Sequence, residues 1–393
     1  MSAVYLHHAA WISALGRGSA ARDALFALQE ARGVAATDAY TPGRVLHLGR
    51  VHEALPALDD EPVAFRSRTN ALLAALLPEL REPVEAAKAR FGPQRIAIVL
   101  GVSAAGLQEG VAAAKRFREQ GDWPESYDYA QQEMGNAPEY LARALGVQGP
   151  AYTISTACSS GAKALAAAAR LLNAGIVDAV IAGGVDALSG FTIAGFSALE
   201  SVSAERCNPL SAQRKGINIG EGAGVFLVGR DAGPVRLAGW GESSDAHHMS
   251  APEPGGRGAI AAMQQALQRA QLAPAQVDYV NLHGTATPQN DAMESLAVAQ
   301  VLGLDVPVSS TKPLTGHTLA AAGAVEAAAC WHTLVDNPRG LLPPHWWDGA
   351  RDAALPPVRV AEPGAALGRA PRHILSNSFA FGGSNACLLL ASE

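Results

Sequence analysis

Three short segments, far apart in the chain, carry side chains suited to thiol chemistry: Thr156-Ala157-Cys158-Ser159-Ser160-Gly161, His283-Gly284-Thr285-Ala286-Thr287-Pro288 and Lys312-Pro313-Leu314-Thr315-Gly316-His317. A cysteine supplies a nucleophile, and imidazoles polarise a carbonyl or move protons near neutral pH. If the fold brings them together, they form an acyl-transfer site able to make carbon–carbon bonds. Cys158 is followed by a run from Ser159 through the alanines to Arg170, a strong helix former. Unpaired amides and the positive end of the dipole at a helix start favour a thiolate and lower its pKa. A lone cysteine is also commonly a buried, inert side chain; the two histidine segments tip the balance toward a nucleophile. His283 ends an apolar run and opens a hydroxyl-rich loop in which Thr285 and Thr287 could hydrogen-bond an amide-bearing substrate arm. His317 stands at another strand–loop–helix junction, and Lys312 precedes it in the same segment. Glu326, further along the helix, can reach back to pair with Lys312.

The elements that must position these residues alternate between short apolar runs (96–100, 177–182, 277–282) and Ala/Leu-rich helical stretches (107–120, 259–270). That alternation predicts an α/β fold with largely buried strands. Segments 374–377 and 386–390 read as strands around the turn Phe381-Gly382-Gly383-Ser384, and Gly220-Glu221-Gly222-Ala223-Gly224 precedes an apolar strand at 225–228. A hinge near 231–235 divides the chain into 1–232, carrying the cysteine, and 233–393, carrying both histidines and the lysine. With no low-complexity linker between them, the halves should pack tightly. Residues 336–371, rich in Pro and Trp, read as surface loops.

At 393 residues, with 49% hydrophobic and 17% charged side chains, the composition is that of a globular chain with a substantial core. A net charge of −6 argues against a general nucleic-acid binder, while leaving room for a small basic patch toward an acidic partner. The four cysteines show no paired spacing, which argues against a disulfide scaffold or a zinc site. The N-terminus lacks a charged lead and apolar run, and no strongly apolar stretch of about 20 residues is present, so neither a signal peptide nor a membrane span is expected. A reducing cytoplasm fits best.

Taken in order, Thr-Ala-Cys-Ser-Ser-Gly, Gly-Glu-Gly-Ala-Gly, Ser-Ser-Asp-Ala-His-His-Met-Ser, His-Gly-Thr-Ala-Thr-Pro-Gln-Asn-Asp, Thr-Lys-Pro-Leu-Thr-Gly-His-Thr-Leu-Ala-Ala-Ala-Gly and Asn-Ser-Phe-Ala-Phe-Gly-Gly-Ser-Asn-Ala resemble the β-ketoacyl-acyl carrier protein synthases, condensing enzymes of the thiolase fold, over nearly the whole chain. Each motif alone is weak; their order and number are specific. The resemblance implies two related α/β halves in a five-layered α-β-α-β-α core, usually dimeric. It implies that Cys158 takes an acyl group from an acyl carrier protein, and that malonyl from a second carrier protein loses CO2 and attacks it. His283 and His317 would line the malonyl site, with Lys312, held by Glu326, tuning it. The backbone N–H groups of Cys158 and Phe381 would form the oxyanion hole. Thr285 and Thr287 match positions that bind the 4'-phosphopantetheine arm, Phe381 a mobile gatekeeper, and Phe196 and Ser250 positions near the malonyl group and its gate. His248 matches a motif position with no assigned role and reads as structural. No metal or redox cofactor, nucleic acid or membrane is called for.

Several positions depart from the family pattern. Ala380 replaces the first glycine of the gatekeeper loop, and alanine lacks glycine's freedom at positive φ. Pro209-Leu210-Ser211 and Arg214-Lys215-Gly216 have each lost an acidic residue, which puts that loop's ion pairs in question, and His7-His8 replace a Thr-Gly turn and read as structural. The loop Gly101-Val102-Ser103-Ala104-Ala105-Gly106 falls where, by the resemblance, a dimer partner closes the acyl pocket, with Ala104 as a pocket residue, and its small residues suggest a deep or long pocket. Arg66 and Arg68 lie where relatives meet the carrier protein, or simply start a solvated helix. The variations hint at an aryl polyene or type II polyketide system over fatty-acid synthesis. A non-catalytic chain-length-factor subunit is the alternative, opposed by the retained Cys158, His283, Lys312 and His317. A degradative thiolase would want a cysteine loop that Cys387 does not offer, and a chain-initiating synthase would carry Cys-His-Asn. The resemblance leaves open whether the chain dimerises with itself or with a related subunit.

Overall fold

In the computed structural model, which describes residues 3–393, the apolar runs become the middle of one continuous sheet. Its first-half strands are β1 (Tyr5–Ser13), β2 (Ile96–Gly101), β3 (Ala151–Ile154), β4 (Ala179–Asp186) and β5 (Gly222–Gly229). The second half supplies β6 (Val235–Ser244), β7 (Tyr279–Asn281), β8 (Pro307–Ser309), β9 (Arg359–Val360), β10 (His373–Ala380) and β11 (Ser384–Ser392). The strand order is β9-β8-β7-β10-β11-β6-β1-β5-β4-β2-β3. The first half runs β3-β2-β4-β5-β1 and the second β8-β7-β10-β11-β6, and in each half two parallel pairings are followed by two antiparallel ones. The chain is therefore one α/β unit used twice, with β9 added at an edge. The halves join where Tyr5 and Leu6 of β1 pair with Arg236 and Val235 of β6.

The principal helices are α1 (Arg68–Phe91), α2 (Leu107–Gln120), α3 (Asn136–Leu145), α4 (Ser160–Asn173), α5 (Gly190–Ala198), α6 (Arg257–Ala270), α7 (Pro288–Leu302) and α8 (Ala322–Leu334). α1 and α3 cover the outer face of the first half, where Leu72, Leu76 and Leu141 pack on Ile98 and Ile181. α6 and α7 cover the outer face of the second half through Met263 and Val298 against Val280 and Leu389. Between the two inner faces lie α4 and α8, with Leu165 and Val325 in a core shared with Val180, Phe226 and Leu388. This is the five-layer sandwich, and the strands read as continuous apolar runs because both faces are covered.

α4 and α8 can share the middle layer only because they are built from Ala and Gly. A Cβ on Gly161 would lie 2.8 Å from the Ala324 nitrogen, and one on Gly323 2.8 Å from the Ala162 nitrogen. This reciprocal contact brings Cys158, just before α4, close to His317, just before α8. Gly323→Val is expected to cost about 1–3 kcal/mol by overpacking; an unchanged denaturation midpoint would show that the crossing tolerates the added volume.

Residues 336–371 are more than surface loops. His345 is fully buried, Leu342, Val358 and Ala361 are also buried, and Arg359–Val360 forms the sheet edge. The segment folds inward because the His345 ring has two backbone partners, the Ser310 N–H and the Pro209 carbonyl. The ion pairs of the 209–216 loop survive as well: Arg214 bonds Asp352 at 2.6 Å and approaches Asp291 at 4.0 Å, and Ser211 donates to Asp348. Carboxylates from other segments replace those missing from the motif. His7 and His8 are half-buried in β1, where burial pushes both pKa values down.

Candidate active site

Cys158 sits at the end of a tight turn whose preceding residue, Ala157, is forced to φ 52°. The Ser160 hydroxyl braces that turn, accepting from the Thr156 N–H at 2.8 Å and donating to the Ala157 carbonyl at 2.6 Å. A non-glycine residue held there is strained, and such strain clusters at functional sites. His283 follows β7, and the carboxylate of Glu294 on α7 fixes its loop by accepting from the His283 and Gly284 N–H groups at 2.8 and 2.7 Å. His317 is held by its own N–H donating to the Asn218 carbonyl at 2.7 Å. The imidazoles meet edge to face with centroids 5.3 Å apart, and ligand atoms of Cys158, His283 and His317 all lie within 4.8 Å of one another.

What lies behind each ring decides what its front can do. The Leu319 N–H donates to Nδ1 of His317 at 3.2 Å, and Lys312 Nζ lies 3.4 Å from Nδ1 of His283. With both Nδ1 atoms serving as acceptors, the proton of each neutral ring rests on Nε2, giving two N–H donors toward the site. Burial, and after it the charge of Lys312, holds both histidines well below the ordinary imidazole range, so both rings are neutral at pH 7. Lys312 is buried and paired with Glu326, whose carboxyl burial raises to about 7. Among the described residues the buried oxygens Asn281 Oδ1 and Glu326 Oε2 have no hydrogen-bond partner, and Asn281 and Ser376 face each other across β7 and β10. Cys158 and the two histidines could grip a soft metal, against the repulsion of Lys312.

The thiol departs from the sequence-based expectation. Burial pushes Cys158 up to about 11, outweighing the lowering from the backbone N–H groups of Phe381 and Cys158 and from Lys312. The resting site therefore holds a thiol. Because its thiolate fraction should grow about tenfold per pH unit below that value, the iodoacetamide alkylation rate is expected to rise steadily from pH 7 to 9. A rate already flat at pH 7 would mean that the helix start wins over burial.

Two spaces meet at Cys158. One is a narrow cleft lined by His283, His317, Thr285, Thr287, Ser250, Phe196 and Phe381. The other is a mostly apolar cavity of about 520 Å³ lined by Ala104, Leu107, Phe191, Leu199, Phe196 and Phe381. Phe196 and Phe381 belong to both, and their rings pack 5.6 Å apart as a partition. The Thr285 and Thr287 hydroxyls are 2.9 Å apart. Ala380 has φ −97°, an ordinary extended conformation, so this state makes no demand for glycine there. His248 caps its own turn, its Nδ1 accepting from the Ser250 and Ala251 N–H groups.

Residues 35–232 match the family described as Beta-ketoacyl synthase, N-terminal domain, and residues 235–345 match its C-terminal domain. The chain belongs to the β-ketoacyl synthase family. A mitochondrial 3-oxoacyl-acyl-carrier-protein synthase of Arabidopsis thaliana is 36% identical over 65% of this chain and 59% of its own length. For 3-oxoacyl-acyl-carrier-protein synthase 2 of Rhizobium meliloti the identity is 37%, over 62% of this chain and 61% of the relative. The chain thus spans about three fifths of the curated relatives it matches. A chain from the structure of a ketosynthase in complex with its chain length factor, from Xenorhabdus doucetiae, is 42% identical with TM-score 0.93, covering 100% of this chain and 98% of that one. A β-ketoacyl synthase from Burkholderia phymatum is 26% identical with TM-score 0.84, covering both chains fully. The five-layer architecture is the thiolase-like fold of these ketosynthases.

Within this family site, the structure gathers Cys158, His283, His317, Lys312, Glu326, Thr285, Thr287, Ser250, Phe196 and Phe381 around one point, with Ala104 in the cavity wall. Arg66 and Arg68 lie elsewhere, partly exposed just before and at the start of α1. Arg68 bonds the fully buried Glu221 through Nε at 2.7 Å, and Arg66 donates to the Glu61 and Asp59 carbonyls. Arg68 supplies the cation that the buried Glu221 carboxylate needs, and Arg66 braces the turn that leads into α1.

The sequence reading missed the supporting carboxylates. Asp186 accepts from the N–H groups of Ser103, Ala104 and Ala320 and from the Ser103 hydroxyl, tying the cavity wall to the His317 loop. Burial raises it to about 6, and Glu294 to about 7. Their signal was an acidic residue set in an apolar strand, or on the inward face of a helix.

Proposed function

We propose that this chain carries out decarboxylative condensation, joining an acyl group held on Cys158 to a malonyl group and releasing a β-ketoacyl thioester and CO2. The observation that carries the reading is the single point where Cys158 and two Nε2–H donors meet, between an apolar cavity and a hydroxyl-lined cleft. Cys158 Sγ attacks the acyl thioester, its proton leaves on the departing thiol, and the Cys158 and Phe381 N–H groups hold the oxyanion. The malonyl carboxylate then leaves as CO2, and its electron pair forms an enolate whose oxygen faces the His283 and His317 donors. That carbon attacks the Cys158 thioester, and the sulfur leaves with the electron pair. Thr285 and Thr287 receive the arm that delivers both substrates, which we take to be the 4'-phosphopantetheine of an acyl carrier protein. No bound cofactor takes part.

The size and apolar lining of the cavity favour long acyl groups, in fatty-acid or specialised polyene or polyketide synthesis. Ala104→Phe is expected to shift preference toward short acyl groups by tenfold or more in kcat/KM; an unchanged chain-length profile would put the acyl group elsewhere. Among the described residues no helix is long and apolar enough to cross a membrane; we place the chain's action in the cytoplasm, where a reactive thiol stays reduced. We assign the working unit as a dimer, either with itself or with a related subunit as in the Xenorhabdus complex. We treat 1–232 and 233–393 as its two ketosynthase halves. A purely non-catalytic chain-length-factor role is the second reading. It is favoured by likeness to a complex that contains such a factor and opposed by the intact cysteine, histidine and lysine set. Incubation with acyl-carrier protein followed by malonyl-carrier protein decides between them: a β-ketoacyl product from the chain alone supports catalysis, and none, with or without a partner, refutes it.

A further inference from the structure

The two N–H groups around the Cys158 sulfur belong to different parts of the fold. One lies at the start of α4, the other at Phe381 in the hairpin tip between β10 and β11. That tip turns through Gly382 and Gly383 at φ 79° and 74°, and Ala380 and Ser384 form the last rung beneath it. On its far side the tip is tied to the 245–249 segment, by the Gly382 N–H to the Met249 carbonyl at 2.9 Å and the Asp245 N–H to the Gly383 carbonyl at 2.8 Å. Across the gap, Lys163, on the first turns of α4, donates to the Ser384 hydroxyl at 2.6 Å. The Ser384 hydroxyl lies 3.0 Å from that of Ser159, which donates to the Thr156 carbonyl at 2.9 Å. Lys163 is half-buried, and burial together with the like charge of Arg170 lowers its pKa. Among the described residues its direct hydrogen-bond partner is Ser384, and no carboxylate is within ion-pair range. A cation kept in such surroundings with one neutral acceptor is held by geometry and not by charge pairing.

We infer that Lys163 is a positioning residue for acyl transfer: through Ser384 and Ser159 it sets the spacing between the nucleophile turn and the Phe381 hairpin, and so the geometry of the oxyanion hole. This rests on the proposed acyl-transfer function. An oxyanion hole works through donors placed before charge develops, and small displacements of such donors are costly. The enolate contacts of the two histidines do not depend on this link, since their supports come from Glu294, Asn218, Leu319 and Lys312.

The test compares Lys163→Met, Lys163→Arg and Ser384→Ala with the wild type, using octanoyl-carrier protein. Self-acylation of Cys158 is followed by intact mass, and Cys158 alkylation by iodoacetamide serves as the control, because alkylation builds no oxyanion. Lys163→Met and Ser384→Ala are expected to slow acylation roughly tenfold through the maximal rate, not KM, with alkylation and melting temperature unchanged. Lys163→Arg should restore part of the loss. Equal slowing of acylation and alkylation, or full acylation rates in both Lys163→Met and Ser384→Ala, would overturn the inference. A wild type that never acylates would instead refute the proposed function.

Discussion

Cys158→Ala is expected to abolish the acyl-enzyme and to lower condensation on the order of 10³-fold or more, while leaving some decarboxylation of malonyl-carrier protein. The asymmetry follows from the site's construction. In the proposed reaction the sulfur forms the bond that holds the growing acyl group, so no neighbour can substitute for it. Decarboxylation needs the enolate oxygen to be held, and that falls to the His283 and His317 donors, which an alanine at 158 leaves in place. The accompanying check is CO2 release without β-ketoacyl product. Condensation surviving in Cys158→Ala would move the nucleophile elsewhere, yet the other three cysteines are buried and none lines either space.

Lys312→Met is expected to lower condensation by about 10²-fold and to move the acid limb of the pH–rate profile upward. Lys312 faces Nδ1 of His283, and its charge helps to depress the pKa of both imidazoles. Removing that charge lets both pKa values rise toward the ordinary value. At mildly acidic pH a larger fraction of each ring is then protonated, and the neutral rings that donate through Nε2 become scarcer. Activity is therefore lost at a higher pH than in the wild type. The Nδ1 of His283 also loses its partner, and loss of one oriented donor of this kind costs about 10²–10³-fold. A lower rate with an unshifted limb would confine Lys312 to a structural pairing with Glu326.

The residues proposed to do chemistry were legible because chemistry restricts their type and surroundings. Cys158, His283, His317 and Lys312 each lie at a strand-to-helix junction flanked by small residues, and such junctions can be read from apolar periodicity followed by Gly, Thr or Ser. The five layers were legible only through family resemblance; periodicity alone reached no further than α/β. Three features escaped the sequence for one reason, which is that burial depends on the three-dimensional neighbourhood. Cys158 was expected to be a stabilised thiolate from its place before α4, but the layers enclosing it raise its pKa. Arg68 looked like a surface cation until Glu221, far along the chain, proved to be its buried partner. The Pro- and Trp-rich 336–371 segment looked like loops, yet His345 ties Ser310 to Pro209 in the interior. Asp186 and Glu294 went unnoticed because their roles are bonds to backbone N–H groups, which leave no mark beyond an acid where an apolar residue would fit.

The most direct measurement follows the purified chain by intact mass as it meets octanoyl-carrier protein and then malonyl-carrier protein, with Cys158→Ala in parallel. The account predicts an octanoyl adduct that depends on Cys158 and disappears when malonyl-carrier protein is added, as the carrier gains a β-ketoacyl chain two carbons longer. An adduct that malonyl-carrier protein fails to discharge, or a β-ketoacyl product formed equally by Cys158→Ala, would contradict it.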